Sequence, residues 1–393
     1  MGTIRLRKGN VQPVWYGHPW VFAQAIDRVE GAPGPGDVVR VLDPEGRFLG
    51  AGFWSPESAI PIRLLTRDPG ETLGEADLAK RLERAVQFRK RTLRLPNDAN
   101  TGYRLVHAEG DELAGLIIDV YGDVAVVQIL TIGMHRHQDA LYAHIQRLTG
   151  ARTVFQAATE PRSEGFRNET EVVRGPEPSE LKFRERGFEL RLPIALTQKT
   201  GYYFDQRDNR ARVESWATGR VLDAYSYVGA MGLSAARGGA DEVLCVDSSA
   251  PVTAAGASIA QHNGVGDRVT FQRADLKRLL PTMVSRNERF DVVILDPPKL
   301  ASSRRHLDKA RRAYIRVNEL AARLVQIGGT LVTCSCSAAM RPSDFVRAVN
   351  RGIRQAKRHA TLVSYGTQGP DHPTPAAFPE GRYLKALFLR IDG

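Results

Sequence analysis

The stretch from Val221 to Asp247, VLDAYSYVGAMGLSAARGGADEVLCVD, leaves few folds open to this chain. A short apolar strand ends in a carboxylate, Asp223, and a loop carrying Gly229 follows it. An Ala-rich helix comes next, then a second apolar strand that ends in Asp247. Strand, glycine loop, helix and acid-tipped strand make the first half of a nucleotide-binding α/β domain. Ligands of such sheets sit outside the carboxyl ends of the strands.

Two cofactor classes use this layout. A dinucleotide site wants G-x-G-x-x-G, so that the pyrophosphate rests on a helix N-terminus. Gly229 and Gly232 are spaced for the last two glycines, but Tyr227 stands in the first position and blocks close approach of a pyrophosphate. S-adenosylmethionine carries no phosphate and tolerates this loop. Its ammonium favours a carboxylate such as Asp223, and Asp247 is placed to accept hydrogen bonds from the ribose hydroxyls.

With 393 residues the chain is long for one core, and two or three domains are expected. No apolar run reaches membrane-spanning length and the opening MGTIRLRKGN has no apolar signal core, so a cytoplasmic protein without a membrane partner is expected. Three cysteines, Cys245, Cys334 and Cys336, cannot build a disulfide framework, and no spacing suggests a metal site. The net charge of +11 suits a polyanion. Basic residues cluster at 80–94, at 304–316, and as Arg347, Arg351, Arg354 and Arg358 on one helix face. Arg84, Lys90, Arg91, Arg304, Arg305 and Arg312 are the candidate RNA-binding side chains.

Taken in order, residues 1–72 read as short strands broken by Pro/Gly turns, a small β-barrel or sandwich. Residues 73–195 read as a middle α/β domain: a helix from Glu75 to Leu95, a meander, a helix near His135 to Leu148, the strand TVFQAA, a surface loop over 161–180, and a hairpin. Residues 196–393 form the cofactor domain. Its opening, LTQKTGYYFDQRDNRARV, reads as a lid, with Gln198 and Lys199 as polar contacts and the aromatics at 202–204 packing the adenosine end. Beyond Asp247, a strand ends at Asp275, suited to an adenine amino group. RFDVVILDPPKL ends in Asp296-Pro297-Pro298, and a fifth strand, GGTLVTCSCS, carries Cys334 and Cys336 at its carboxyl end.

Asp296 and the cysteine pair should converge on the cofactor's methyl group. A carboxyl group can orient and protonate a base ring, but it cannot make carbon 5 of a pyrimidine nucleophilic. For that a thiolate must add at carbon 6. Residues two apart on a strand face the same side, so alternation does not separate Cys334 from Cys336. Cys245, inside a strand, reads as a small inert hydrophobe.

With GHPWVF, QKTGYYFDQRDNR, DAYSYVG, DPPK, TCSCS, DHP and YLK in one chain, the sequence resembles the bacterial 23S rRNA 5-methylcytosine methyltransferases that carry an N-terminal PUA domain. The resemblance spans nearly the whole chain. It implies an α/β protein: a small β-barrel PUA domain, a middle α/β domain, and a C-terminal class I (Rossmann-like) methyltransferase domain. It implies S-adenosyl-L-methionine as cofactor and 23S rRNA, or a large-subunit assembly intermediate, as partner, with a homodimer left open. Asp223, Tyr225, Gly229, Asp247, Asp275 and Asp296 would line the cofactor and target base, with Tyr227 and Pro297 beside them. Reading TCSCS against the family's TCS motif places Cys336 on the nucleophile, with Cys334 as the fallback. No Cys follows the DPP motif, so the base that takes the carbon-5 proton is unassigned among Cys334, Asp296 and water. The rivals are an N-methyltransferase acting on an rRNA purine and a non-catalytic RNA-binding assembly factor. Lys299 stands where the former usually has an aromatic.

Overall fold

The computed structural model describes residues 1–196, 201–301 and 304–393. Gln198 and Lys199, expected as lid contacts, lie outside the described residues. The chain divides into two compact units, Met1–Phe204 with Pro370–Gly381, and Asp205–Gly369 with Arg382–Gly393.

The first unit holds both N-terminal sheets. Strands β1 (Gly2–Leu6), β2 (Trp20–Val21), β3 (Ile26–Glu30), β4 (Val38–Leu42), β5 (Phe48–Trp54) and β6 (Ile62–Thr66), with the short helix α1 (Gln12–Trp15), build a sheet of order β2-β6-β5-β4-β1-β3. Alternation sets its inner face: Ile4 and Leu6 of β1 and Val39 and Val41 of β4 are buried together. Helix α2 (Glu75–Gln87) leads to β7 (Gly102–His107), β8 (Leu116–Tyr121) and β9 (Val124–Ile129), a meander as the Gly-Asp turns foretell. Helices α3 (Ile132–Arg136) and α4 (Gln138–Thr149) then cross to β10 (Thr153–Gln156), parallel to β9.

The stretch read as a surface loop contains an edge strand, β11 (Glu171–Arg174), antiparallel to β10. Its short run of two valines among charges is too brief to show a period. Strands β12 (Glu180–Glu185) and β13 (Phe188–Pro193) form a separate hairpin. Tyr202 and Phe204, read as packing the adenosine end, pack within this unit. They are 3% and 0% exposed, ring-packed with Phe183, and Tyr202 donates to Glu185 at 2.8 Å.

In the second unit, helix α5 (Arg207–Trp216) precedes the nucleotide-type core, which alternates strand and helix. It runs through β14 (Gly219–Ala224), α6 (Ala230–Gly238), β15 (Ala240–Asp247), α7 (Ala250–His262), β16 (Val269–Arg273), α8 (Leu276–Ser285) and β17 (Phe290–Leu295). Helix α9 (Leu307–Leu324), β18 (Val325–Ser335), α10 (Pro342–Gln355), β19 (His359–Gly366) and β20 (Lys385–Asp392) complete it. The sheet order is β16-β15-β14-β17-β18-β20-β19, with β20 antiparallel between β18 and β19. The central strands β14 and β17 are largely buried apolar runs, as expected where helices cover both faces of a parallel sheet. Between β19 and β20 the chain departs, and Pro370–Gly381 packs with the first unit. There the Asp371 carboxylate accepts from the Arg104 backbone N–H at 3.1 Å, and its carbonyl accepts from Arg89 at 2.8 Å.

Helix α9 buries Ala310, Tyr314, Val317, Asn318, Ala321 and Leu324, a three-to-four repeat against the sheet, and turns Arg312 and Arg316 outward. Helix α10 lies against α9 at Gly352, where an added Cβ would sit 2.4 Å from the Ile315 carbonyl and 2.9 Å from the Glu319 nitrogen. Gly352→Ala is therefore expected to wedge the helices apart and lower unfolding stability by about 1–3 kcal/mol despite better helix propensity. Urea titration checks this, and unchanged or raised stability would contradict the close crossing.

Candidate active site

Three strands of the second unit deliver carboxylates to one edge. Asp223 nears the end of β14, Asp247 ends β15, and Asp296 follows β17. β14 lies between β15 and β17, in parallel register with both. The loop after Asp223 is held in an unusual shape, since Tyr225 and Tyr227 have φ of 64° and 52°. Left-handed backbone at two bulky residues is strained, and such strain persists where the surroundings fix it. Here the fixing bonds are Ser226 N–H to the Val246 carbonyl at 3.0 Å and Tyr227 N–H to Asp247 Oδ2 at 3.1 Å. Asp247 Oδ1 accepts from Ser249 N–H at 2.9 Å, so its carboxylate bridges two loops and stays half-buried.

Gly229 caps α6 with φ of 79°, and a Cβ there would meet the Phe271 ring at 2.5 Å. Its glycine is required by internal packing as well as by backbone shape. Asp223 also faces inward: it is 1% exposed and accepts from Gly232 N–H at 2.8 Å. Burial lifts its pKa to about 7, and the nearby Asp296 and Asp247 add to the rise. Burial raises the Cys245 thiol well above its usual range, as expected for an inert core residue. Asp275 caps α8, accepting from Lys277 N–H at 3.0 Å, and its side chain is exposed.

Asp296 is the hub. Its Oδ2 accepts from Gln206 Nε2 at 2.9 Å. Gln206 is oriented in turn, because its Oε1 accepts from Asn209 Nδ2 at 2.6 Å and Asn209 is wholly buried. Burial, then the charge of Asp205, lifts Asp296 to about 7. Asp205 Oδ2 accepts from the Tyr383 hydroxyl at 2.7 Å, while its buried Oδ1 has no partner among the described residues. Gln206, Asn209, Asp205 and Tyr383 were legible as motif members, yet their roles were not, since the partners lie far apart in sequence. Pro297 is buried beside Asp296.

The cysteines are separated by the end of β18, which falls at Ser335. Cys334 is 0% exposed within the strand, and burial pushes its thiol well above the usual range. Cys336 lies beyond the pleat and is half-buried. Its turn is tied down: Tyr314 donates to Ser335 Oγ at 2.8 Å, and Ala301 N–H donates to Ser337 Oγ at 3.2 Å.

Of the basic candidates, Arg84, Lys90, Arg91, Arg305 and Arg312 are exposed, and Arg84 pairs with Glu112 at 2.7 Å. The side chain of Arg304 lies outside the described set. Two other members of the 80–94 run are structural rather than free to meet RNA. Arg81 (2% exposed) pairs with Glu71 and Glu112, and Arg89 (0%) pairs with Asp111.

Fold and site together define a class I methyltransferase preceded by a PUA-like domain. Family models agree: a PUA-like domain matches residues 4–67, and an S-adenosylmethionine-dependent methyltransferase matches residues 105–389. The chain belongs to this S-adenosylmethionine-dependent methyltransferase family. It is 37% identical to the ribosomal RNA large subunit methyltransferase I of Aeromonas salmonicida, covering 98% of both chains. It is 36% identical to the protein of the same name from Shewanella denitrificans, covering 99% of both. A solved Streptococcus mutans structure assigned to the S-adenosylmethionine-dependent methyltransferases superposes with a TM-score of 0.85 at 19% identity, over 99% of this chain and 100% of that one, and shows the shared fold. Among the described residues no helix is long and apolar enough to cross a membrane.

The residues fit S-adenosylmethionine. An edge carrying Asp223, Asp247 and Asp296, with an unpartnered buried oxygen on Asp205, repels a pyrophosphate and attracts a cation. A bound cation favours the ionised form of Asp223, the carboxyl read as the ammonium's partner and held near pH 7, so binding should expel a proton. Affinity for S-adenosylmethionine is expected to rise as pH climbs through about 7 and to level off above it. S-adenosylhomocysteine, which lacks the sulfonium charge, should show a weaker dependence. Calorimetry in buffers of different ionisation enthalpy reads the proton release. Affinity that is flat or falls with pH would contradict the assignment.

Proposed function

We propose that this methyltransferase acts on carbon 5 of a cytosine in large-subunit ribosomal RNA, with Cys336 as the covalent nucleophile. The observation that carries the reading is the half-buried Cys336, just past the end of β18, beside a sealed Cys334, with β18 next to the strand that Asp296 follows. The names of the Aeromonas and Shewanella relatives and the PUA-like domain support rRNA as substrate.

The Cys336 thiolate adds to carbon 6 of the ring, forming a C–S bond and pushing electron density to carbon 5. Asp296, held near neutrality in its proton affinity, donates a hydrogen bond to ring nitrogen 3 and stabilises the charge that collects there. S-adenosylmethionine supplies an electrophilic methyl group to carbon 5. The carbon-5 proton then leaves to water, the C–S bond breaks, and the thiolate is restored. The full burial of Cys334 speaks against that thiol as the base. Gln206 and Asn209 orient Asp296, and Asp247 is placed for the ribose. Reaching a stacked base requires extruding it, at a cost of a few kcal/mol, which favours a loosely folded rRNA region.

The outer surface of α9 and α10 offers a phosphate track. A trough of about 300 Å³ lined by Arg311, Ile315, Asp344, Arg347, Ala348 and Arg351 continues into a second lined by Arg312, Arg316 and Gln355. Asp344 is shared by Arg341, Arg311 and Arg347, whereas Arg312 and Arg351 have no acidic partner among the described residues. Positive charge therefore exceeds negative along its length.

Labelled methyl transfer to rRNA, with digestion to nucleosides, tests the chemistry. Cys336→Ala is expected to lose activity by at least about a thousandfold, and Cys334→Ala to stay within about tenfold, its loss coming from packing. A methylated purine, or full activity in Cys336→Ala, would overturn the reading. For the track, the double change Arg312→Gln/Arg351→Gln is expected to lower the salt dependence of rRNA binding by roughly 1.4–1.8 in log–log slope. Cofactor affinity should be unaltered. An unchanged slope would place the RNA elsewhere.

A further inference from the structure

Lys385 enters the second unit from β20, opposite Ser335 of β18, and is 1% exposed. Its Nζ donates to the Ser337 carbonyl at 2.8 Å and to the Met340 carbonyl at 2.9 Å. Both carbonyls belong to the turn that begins just after Cys336. An ammonium has three hydrogens to give, and among the described residues no carboxylate lies within ion-pair distance of this one. A buried cation without a counter-ion is costly. If holding the turn were its whole purpose, a neutral donor would do it more cheaply.

The groups that couple electrostatically to Cys336 show what the charge is for. Among the described residues they include Lys385 from β20, Tyr314 from α9 and Cys334 from β18. Tyr314 is pushed up to about 12 and Cys334 well above the usual thiol range, both by burial, so both are neutral near pH 7. Lys385 is brought down to about 8 by burial, with Cys336 pushing back, and so remains a cation at pH 7. Asp296 couples to Cys334 and Tyr314, and Asp205 to Cys334.

We infer that Lys385 is a positioning residue for methyl transfer: it clamps the turn after Cys336 and supplies the counter-charge that holds the Cys336 sulfur as a thiolate. The proton leaves the thiol to solvent before attack, and the ammonium keeps its own. The value of this to catalysis rests on the reading of Cys336 as nucleophile, but the ion pair can be tested without any transfer reaction.

The full-length chain is treated with iodoacetamide across a pH series, and modification of Cys336 is followed by peptide mass spectrometry. Lys385→Met is expected to raise the pH midpoint for Cys336 alkylation by about one unit or more, slowing the reaction about tenfold at pH 7. Lys385→Arg, which keeps the charge, should stay near the wild-type midpoint. An unmoved midpoint in a folded Lys385→Met chain would overturn the inference. Should that variant fail to melt cooperatively, Cys336→Ser carries the test from the other side. Without the thiolate, the Lys385 side-chain titration followed by NMR should fall below its wild-type midpoint, and an unchanged midpoint would again overturn the pairing. If Cys336→Ala kept methyl transfer, the nucleophile would be lost as a claim, but the alkylation shift would stand or fall separately.

Discussion

Carboxylates crowded at the edge of a parallel sheet are the constraint on which the site is built. Asp223, Asp247 and Asp296 come from strands that lie side by side; Asp223 is buried and the other two are half-buried. Two of them respond by moving toward neutrality, both to about 7. Asp247 is held by two backbone donors. An edge so charged favours a cationic ligand, and one carboxyl balanced near pH 7 is well suited to hydrogen-bond a heterocycle in either protonation state.

Around that edge the chain spends its buried polar groups on orientation. Asn209 fixes Gln206, which addresses Asp296, and Tyr383 fixes Asp205. Tyr314, Ser335 and Ser337 hold the strand end that presents Cys336. Two cysteines that share a strand face by alternation differ because the strand stops between them. One remains a core residue, and the other leaves the ladder for a turn.

Much of this was legible in the sequence, for identifiable reasons. The Val221–Asp247 unit is contiguous, so its strand, loop, helix and strand could be read without tertiary knowledge. The strand ends at Asp296 and near Cys334 were marked by long apolar runs. The antiparallel pair β19 and β20 was not foreseen. β19 is largely exposed, and the excursion of Pro370–Gly381 hides the connection. The basic run at 80–94 overstated the free charge, because the partners of Arg81 and Arg89 include Glu112 and Asp111, some 20–30 positions away. Gln206 stood in a recognised motif, but its role depends on Asp296, 90 positions on. Lys385 looked like one cation opening an apolar strand, and only its burial against the cysteine turn gives it meaning.

The central claim is a covalent bond between one sulfur and carbon 6 of one ring. Large-subunit rRNA made with 5-fluorocytidine tests it most directly, because fluorine at carbon 5 cannot depart as a proton does and the adduct is trapped. The account predicts a denaturation-resistant protein–RNA complex with S-adenosylmethionine present, formed by the native chain and by Cys334→Ala but not by Cys336→Ala. A complex that persists in Cys336→Ala, or a native chain that methylates unmodified rRNA yet never traps, would contradict it.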